Sequence, residues 1–148
     1  MKINFLAVLV CVIVAQLIGM IWFGFIFGGS WMAMNGFSPQ AQMSSGAMPY
    51  IYSVIDSAFF ALFLSWLFNR MAVRSAMEGA GVALFIGVAT VLLGVVTGYS
   101  FAGRPMRLAL IDACGPMLWM TVMGTIIGGW KTKAQKSAKV RNIIRSDS

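Results

Sequence analysis

Residues 76–130 read AMEGAGVALFIGVATVLLGVVTGYSFAGRPMRLALIDACGPMLWMTVMGTIIGGW, and this stretch decides the fold. It consists of two apolar runs broken once, at Gly103-Arg104-Pro105. Each run exceeds the roughly 20 residues that an α-helix needs to cross about 30 Å of hydrocarbon. Proline has no amide to donate, and first-turn amides have no intrahelical partner, so Pro105 reads as a helix start. The stretch predicts two membrane helices, over about 76–101 and 106–130, joined by a tight turn.

Working outward, two more apolar runs cover about 3–28 and 50–68, the second opening just after Pro49. Of the 148 residues, 59% are hydrophobic and only 10% are charged, a composition that expects lipid as solvent. The predicted fold is an all-α membrane protein, with four transmembrane helices in a compact bundle. Residues 1–130 form the transmembrane domain and 131–148 a polybasic cytoplasmic tail. The apolar run after Lys2 is too long for a signal-peptide core and lacks a small-x-small cleavage site, so it reads as an anchor.

Orientation follows from the basic residues in the short connections. Lys2, Arg70, Arg74, Lys131, Lys133, Lys136, Lys139, Arg141 and Arg145 fall on one side, and only Arg104 and Arg107 on the other. Both termini are therefore expected in the cytoplasm. The charge-free connection 29–49 is expected outside. Topology thus accounts for the net charge of +7, and no nucleic-acid partner is expected. The six basic tail residues, Lys131 to Arg145, follow Trp130 directly and predict contact with anionic lipid at the cytoplasmic face.

The chain has no histidine, which removes the usual general base and the commonest metal ligand. Cys11 and Cys114 lie in apolar runs without paired-thiol spacing, and the twelve methionines show no copper-ligand clustering. No metal and no cofactor is expected. Small residues Gly79, Ala83, Gly87, Thr90, Gly94 and Gly98 recur at steps of three or four along the third run, as a stripe that a neighbouring helix can approach. Gly24 with Gly28, Gly94 with Gly98, and Gly124 with Gly128 each form a GxxxG pair. These predict helix packing, within the chain or between copies.

Asp56 and Asp112 are the costly residues. A carboxylate at mid-span costs about 2.5–3.5 kcal/mol even on insertion scales, so each needs protein, water or a partner. Counted from the outer ends of their runs, both lie about 9 Å deep. Tyr52, Ser53, Tyr99 and Trp22 fall near that level, and Arg104 and Arg107 guard the same face. Arg107 stands five residues before Asp112, well round the helix, which favours a pair between Arg107 and Asp56. Pro116 withholds the amide that the Asp112 carbonyl would accept, and with Gly115 beside it a helix kink is expected. Trp31, Tyr50, Tyr52 and Tyr99 read as an outer aromatic belt.

Two stretches carry a resemblance. Gly19-Met20-Ile21-Trp22-Phe23-Gly24 with Phe27, Gly28 and Trp31 is one; Gly103-Arg104-Pro105, Ile111-Asp112 and Gly124 through Gly128 to Trp130 is the other. Together they resemble the bacterial membrane family known as domain of unknown function 1761, over essentially the whole chain. The resemblance implies four membrane helices and no established activity. Phe23 stands where the family pattern has tyrosine and Phe25 where it has proline. Cys114-Gly115-Pro116 stands where many relatives have Gly-Tyr-His.

Three functions follow from these residues. The first is a non-catalytic accessory, assembly or structural subunit, with buried acids and arginines that lock helices together. The second is an oligomeric small-solute or proton-linked transporter or channel with its outer site at Asp56 and Asp112. The third, a lipid-modifying enzyme, rests only on two carboxylates at one level. A homo-oligomer or a larger membrane complex is the expected setting.

Overall fold

The computed structural model describes residues 3–37 and 46–146, with side chains up to Trp130. Among the described residues the chain is helical, with no strand. The helices are α1 (Phe5–Met20), α2 (Gly28–Asn35), α3 (Met48–Arg70), α4 (Ala76–Ile86), α5 (Leu93–Phe101) and α6 (Met106–Ser146). Ile21–Ile26 and Gly87–Leu92 are π-helical turns that prolong α1 and link α4 to α5. Four stretches are long and apolar enough to cross a membrane: Phe5–Ile26, Met48–Arg70, Ala76–Phe101 and Met106–Trp130.

Local sequence explains the ends. The Asn4 side chain accepts from the amides of Leu6 and Ala7 at the start of α1, and Ser75 accepts from Glu78 at the start of α4. The Glu78 carboxylate in turn accepts from the amide of Arg74 at 2.6 Å. These caps satisfy donors that a helix start leaves without intrahelical partners.

Two boundaries differ from expectation. The first span is α-helical only to Met20 and π-helical to Ile26. The backbone then breaks at Phe27, and a separate helix, α2, occupies residues assigned above to an open connection. The cause is local: the π turn widens the helix, and the Phe27 carbonyl starts a new run by accepting from Trp31. At the other end, α6 continues beyond Trp130 to Ser146. The lipid contacts expected of Lys131, Lys133, Lys136, Lys139, Arg141 and Arg145 lie outside the described side chains.

The core sits toward the end of the bundle that carries the α3–α4 turn, where Phe68, Leu64, Ala61, Cys11, Ala83 and Met123 are wholly buried. Large apolar side chains such as Phe25, Phe59, Phe85 and Phe101 point outward. Such a surface matches a lipid solvent, where outward apolar groups cost nothing.

The glycine stripe is only half used. A Cβ on Gly79 would lie 2.2 Å from the Gly124 carbonyl oxygen, and one on Gly128 would lie 2.5 Å from that of Ser75. Gly79, Ala83 and Gly87 are buried, Gly87 against Met117 of α6. Gly94 and Gly98 instead face open space, so they take no part in packing within the chain. The π turn between the two halves explains this, since one extra residue rotates everything downstream by about 100°. Gly24 is likewise open, and Gly28 abuts only the Phe23 carbonyl of its own segment. Of the three GxxxG pairs, Gly124 with Gly128 is the one that seats a neighbouring helix.

Candidate functional site

The end of the bundle that carries the α5–α6 turn is organised around Asp112, half-buried in the second turn of α6. One carboxylate oxygen accepts the indole N–H of Trp31 at 2.6 Å. The other accepts the hydroxyl of Tyr99. Donors from α2 and α5 thus meet on one acid of α6. Hydrogen bonds to an ionised acceptor are the strong kind, so two of them offset much of the cost of placing a carboxylate here.

Arg104 closes the arrangement from above. Its guanidinium lies over the Tyr99 ring, 4.9 Å from the centroid, and reaches the Tyr99 hydroxyl at 3.4 Å. It also donates to the Asn35 side-chain oxygen at 2.8 Å, and Asn35 donates back to the Trp31 carbonyl at 3.0 Å. The local sequence makes this reach possible. Gly103 adopts φ +62°, a left-handed conformation that glycine takes without strain, and the Arg104 amide closes the turn on the Tyr99 carbonyl. Gly-Arg-Pro therefore turns the chain, aims a cation back at the preceding helix and starts the next.

Trp22 supports the clamp from the π turn. Its indole donates to the Ile111 carbonyl at 2.9 Å, and its ring packs on Phe27 with centroids 4.7 Å apart. A Cβ at Gly115 would come within 2.7 Å of that ring. Gly115 and Pro116 lie inside a helix assigned as continuous from Met106 to Ser146. Gly115 thus acts as the seat of Trp22.

Asp56 lies elsewhere. It lines a cleft of about 510 Å³ between the first and second spans, with Gln16, Ser53, Ser57, Tyr50, Phe23, Trp31 and Trp119. No hydrogen bond or ion pair joins Asp56 to another described residue. Gln16 donates to the Ser57 hydroxyl at 3.2 Å and to the Ser53 carbonyl at 3.3 Å, and accepts from the Ser53 hydroxyl. With α3 beginning at Met48, Asp56 stands about 12 Å along its helix and Asp112 about 9 Å along its own.

Of the residues expected at one site, the structure joins Asp112, Tyr99 and Arg104, with Trp22 beside them. Asp56 and Ser53 share the cleft, and Tyr52 points outward. The expected pair between Arg107 and Asp56 is not formed among the described residues. Arg107 and Arg104 are both exposed, but the cation that reaches the Asp112 cluster is Arg104, through Tyr99 and Asn35. Trp31, Asn35 and Gln16 are site residues that the sequence reading missed. Trp31 shares its position with interfacial belt residues, and the signal for Gln16 is that it is the lone side-chain amide within α1.

The Arg-Pro turn and the Ile-Asp helix that supply this clamp are also the features on which the family resemblance rests. The family model described as Protein of unknown function (DUF1761) matches residues 6–128. The chain belongs to the DUF1761 family. The match covers all four spans and every residue of the clamp and the cleft. No curated protein and no solved structure matches this DUF1761 protein.

Proposed function

We propose that this DUF1761 protein is a non-catalytic component of the bacterial inner membrane, an accessory, assembly or structural subunit with both termini in the cytoplasm. The observation that carries it is the engagement of both Asp112 oxygens by Trp31 and Tyr99. An acid held by two fixed donors is a fastener between helices, with each of its carboxylate oxygens already engaged by a side chain of another helix. The nine-to-two division of basic residues supports the orientation. The basic tail from Lys131 to Arg145 then meets anionic lipid at the inner face. The test is Asp112→Asn: it lowers bundle stability or recovery of membrane partners and leaves ion and solute flux unchanged. Finding the wild-type protein alone after gentle extraction would count against an accessory role.

A second reading is favoured by one observation, the Asp56 carboxylate lining an open cleft. On this reading, copies of the chain assemble into a small-solute or proton-linked transporter, and Asp56 meets the solute. Proteoliposomes carrying wild type would show a flux that Asp56→Asn abolishes. No flux above empty vesicles for protons, inorganic cations and small organic ions would sink it.

A further inference from the structure

We infer that the cleft between the first and second spans binds an organic cation with an apolar body, its charge on Asp56 and its body against the aromatic walls. This deepens the second reading above by naming the solute, and it rests on that reading only in taking the cleft as a ligand site.

The charge argument comes first. The polar neighbours of Asp56 are already committed: Gln16 satisfies Ser53 and Ser57 and is satisfied by Ser53. No lysine or arginine lines the cleft. Among the described residues the carboxylate is therefore the one charged group on the cleft wall, without a countercharge there. A carboxylate inside a span needs protein, water or a partner; among the described residues Asp112 has side-chain donors, whereas Asp56 is exposed to the cleft and has none.

The walls say what kind of cation fits. Trp31, Trp119, Phe23 and Tyr50 line the same cleft, and aromatic faces attract cations through their ring quadrupole, most strongly when the site is desolvated. A volume of about 510 Å³ lies in the range of small-molecule sites. An inorganic ion fits less well. Calcium takes six to eight oxygen ligands and magnesium a strict octahedron, and no group of three His, Cys, Asp or Glu side chains occurs among the described residues. A quaternary or bulky organic cation needs one carboxylate and apolar contact.

Tetraphenylphosphonium is the probe, with tetraphenylborate as its counterpart of like shape and opposite charge. Binding is measured by equilibrium dialysis against the full chain in lipid nanodiscs, with empty nanodiscs subtracted. The expected result is saturable binding of the phosphonium that weakens at least tenfold in Asp56→Asn and is retained in Asp56→Glu. The borate shows no saturable binding. Both variants must melt no lower than wild type, so that loss of fold is excluded. Equal phosphonium binding by wild type and Asp56→Asn, or saturable borate binding, would overturn the inference. So would absence of phosphonium binding to wild type, including the case in which native mass spectrometry finds a lipid held in its place. Saturable, Asp56-dependent binding with no flux in proteoliposomes would sink the transport reading and leave the binding site standing.

Discussion

The indole N–H of Trp31 rests on the carboxylate of Asp112 at 2.6 Å while the same ring lines the cleft that holds Asp56. One side chain of α2 therefore separates the two intramembrane acids. Asp112 is fastened on its far side, and Asp56 is open on its near side. Asn35, one turn along α2, holds the Trp31 backbone and is itself held by Arg104, so the wall between the acids is tied to the turn that starts α6.

The hydrogen bond between Trp31 and Asp112 predicts energetic coupling. Trp31→Phe keeps a ring in the cleft and removes the donor, and Asp112→Asn removes the charge that strengthens the bond. A double-mutant cycle on thermal or denaturant stability should give a coupling of about 1 kcal/mol or more, in the range of residues that share a network. Additive losses would mean that the bond carries no stability.

A glycine at the packed seam and one on the open face of the stripe should respond in opposite directions. Gly124→Ala places a methyl group 2.3 Å from the Gly79 carbonyl oxygen, and backbone cannot give way cheaply, so a loss of about 1–3 kcal/mol is expected. Gly98→Ala meets open space and should be neutral or stabilise by up to about 1 kcal/mol through helix propensity. Unfolding in detergent measures both. A large loss at Gly98 would place that face in an interface between copies.

Gly115→Ala tests the seat of Trp22. The added methyl must displace an indole ring that lies within 2.7 Å of it, and the ring then loses its bond to the Ile111 carbonyl. A loss of about 1–3 kcal/mol is expected, and Trp22→Phe should remove most of the additional penalty in the double variant. A Gly115→Ala protein as stable as wild type would show that the ring moves freely.

Orientation has its own measurement. In a background of Cys11→Ser and Cys114→Ser, a membrane-impermeant thiol reagent should label Ala47→Cys in intact cells and label Ser148→Cys only after lysis. Labelling of Ser148→Cys in intact cells would reverse the topology.

The spans were legible because length and apolarity suffice to set them, and the ends of α3 and α6 announced themselves through Pro49 and Pro105. Asp112, Tyr99 and Arg104 stood out because a polar side chain in or beside a membrane helix needs a reason. The grouping of the two acids was not legible. It depends on α2, an eight-residue helix without an apolar run long enough to show, and on Trp31, which has the same address as an interfacial belt residue. The π turns leave no compositional trace. One of them rotates Gly94 and Gly98 off the seam that Gly79 and Gly87 form, and the other directs the chain into Phe27 and α2. Distance along one helix favours Arg107, whereas the turn at Gly103 brings Arg104 back over Tyr99.

The most direct test of the division between the two acids is the pair of melting temperatures of Asp112→Asn and Asp56→Asn, measured on the full chain in the same detergent. Loss of charge-assisted bonds at Asp112 should cost about 1.5–3 kcal/mol and lower the midpoint by roughly 5 °C. Asp56→Asn should leave it unchanged or raise it, because a charge without a partner is removed from the span. A fall in Asp56→Asn equal to that in Asp112→Asn, or no fall in Asp112→Asn, would contradict the account.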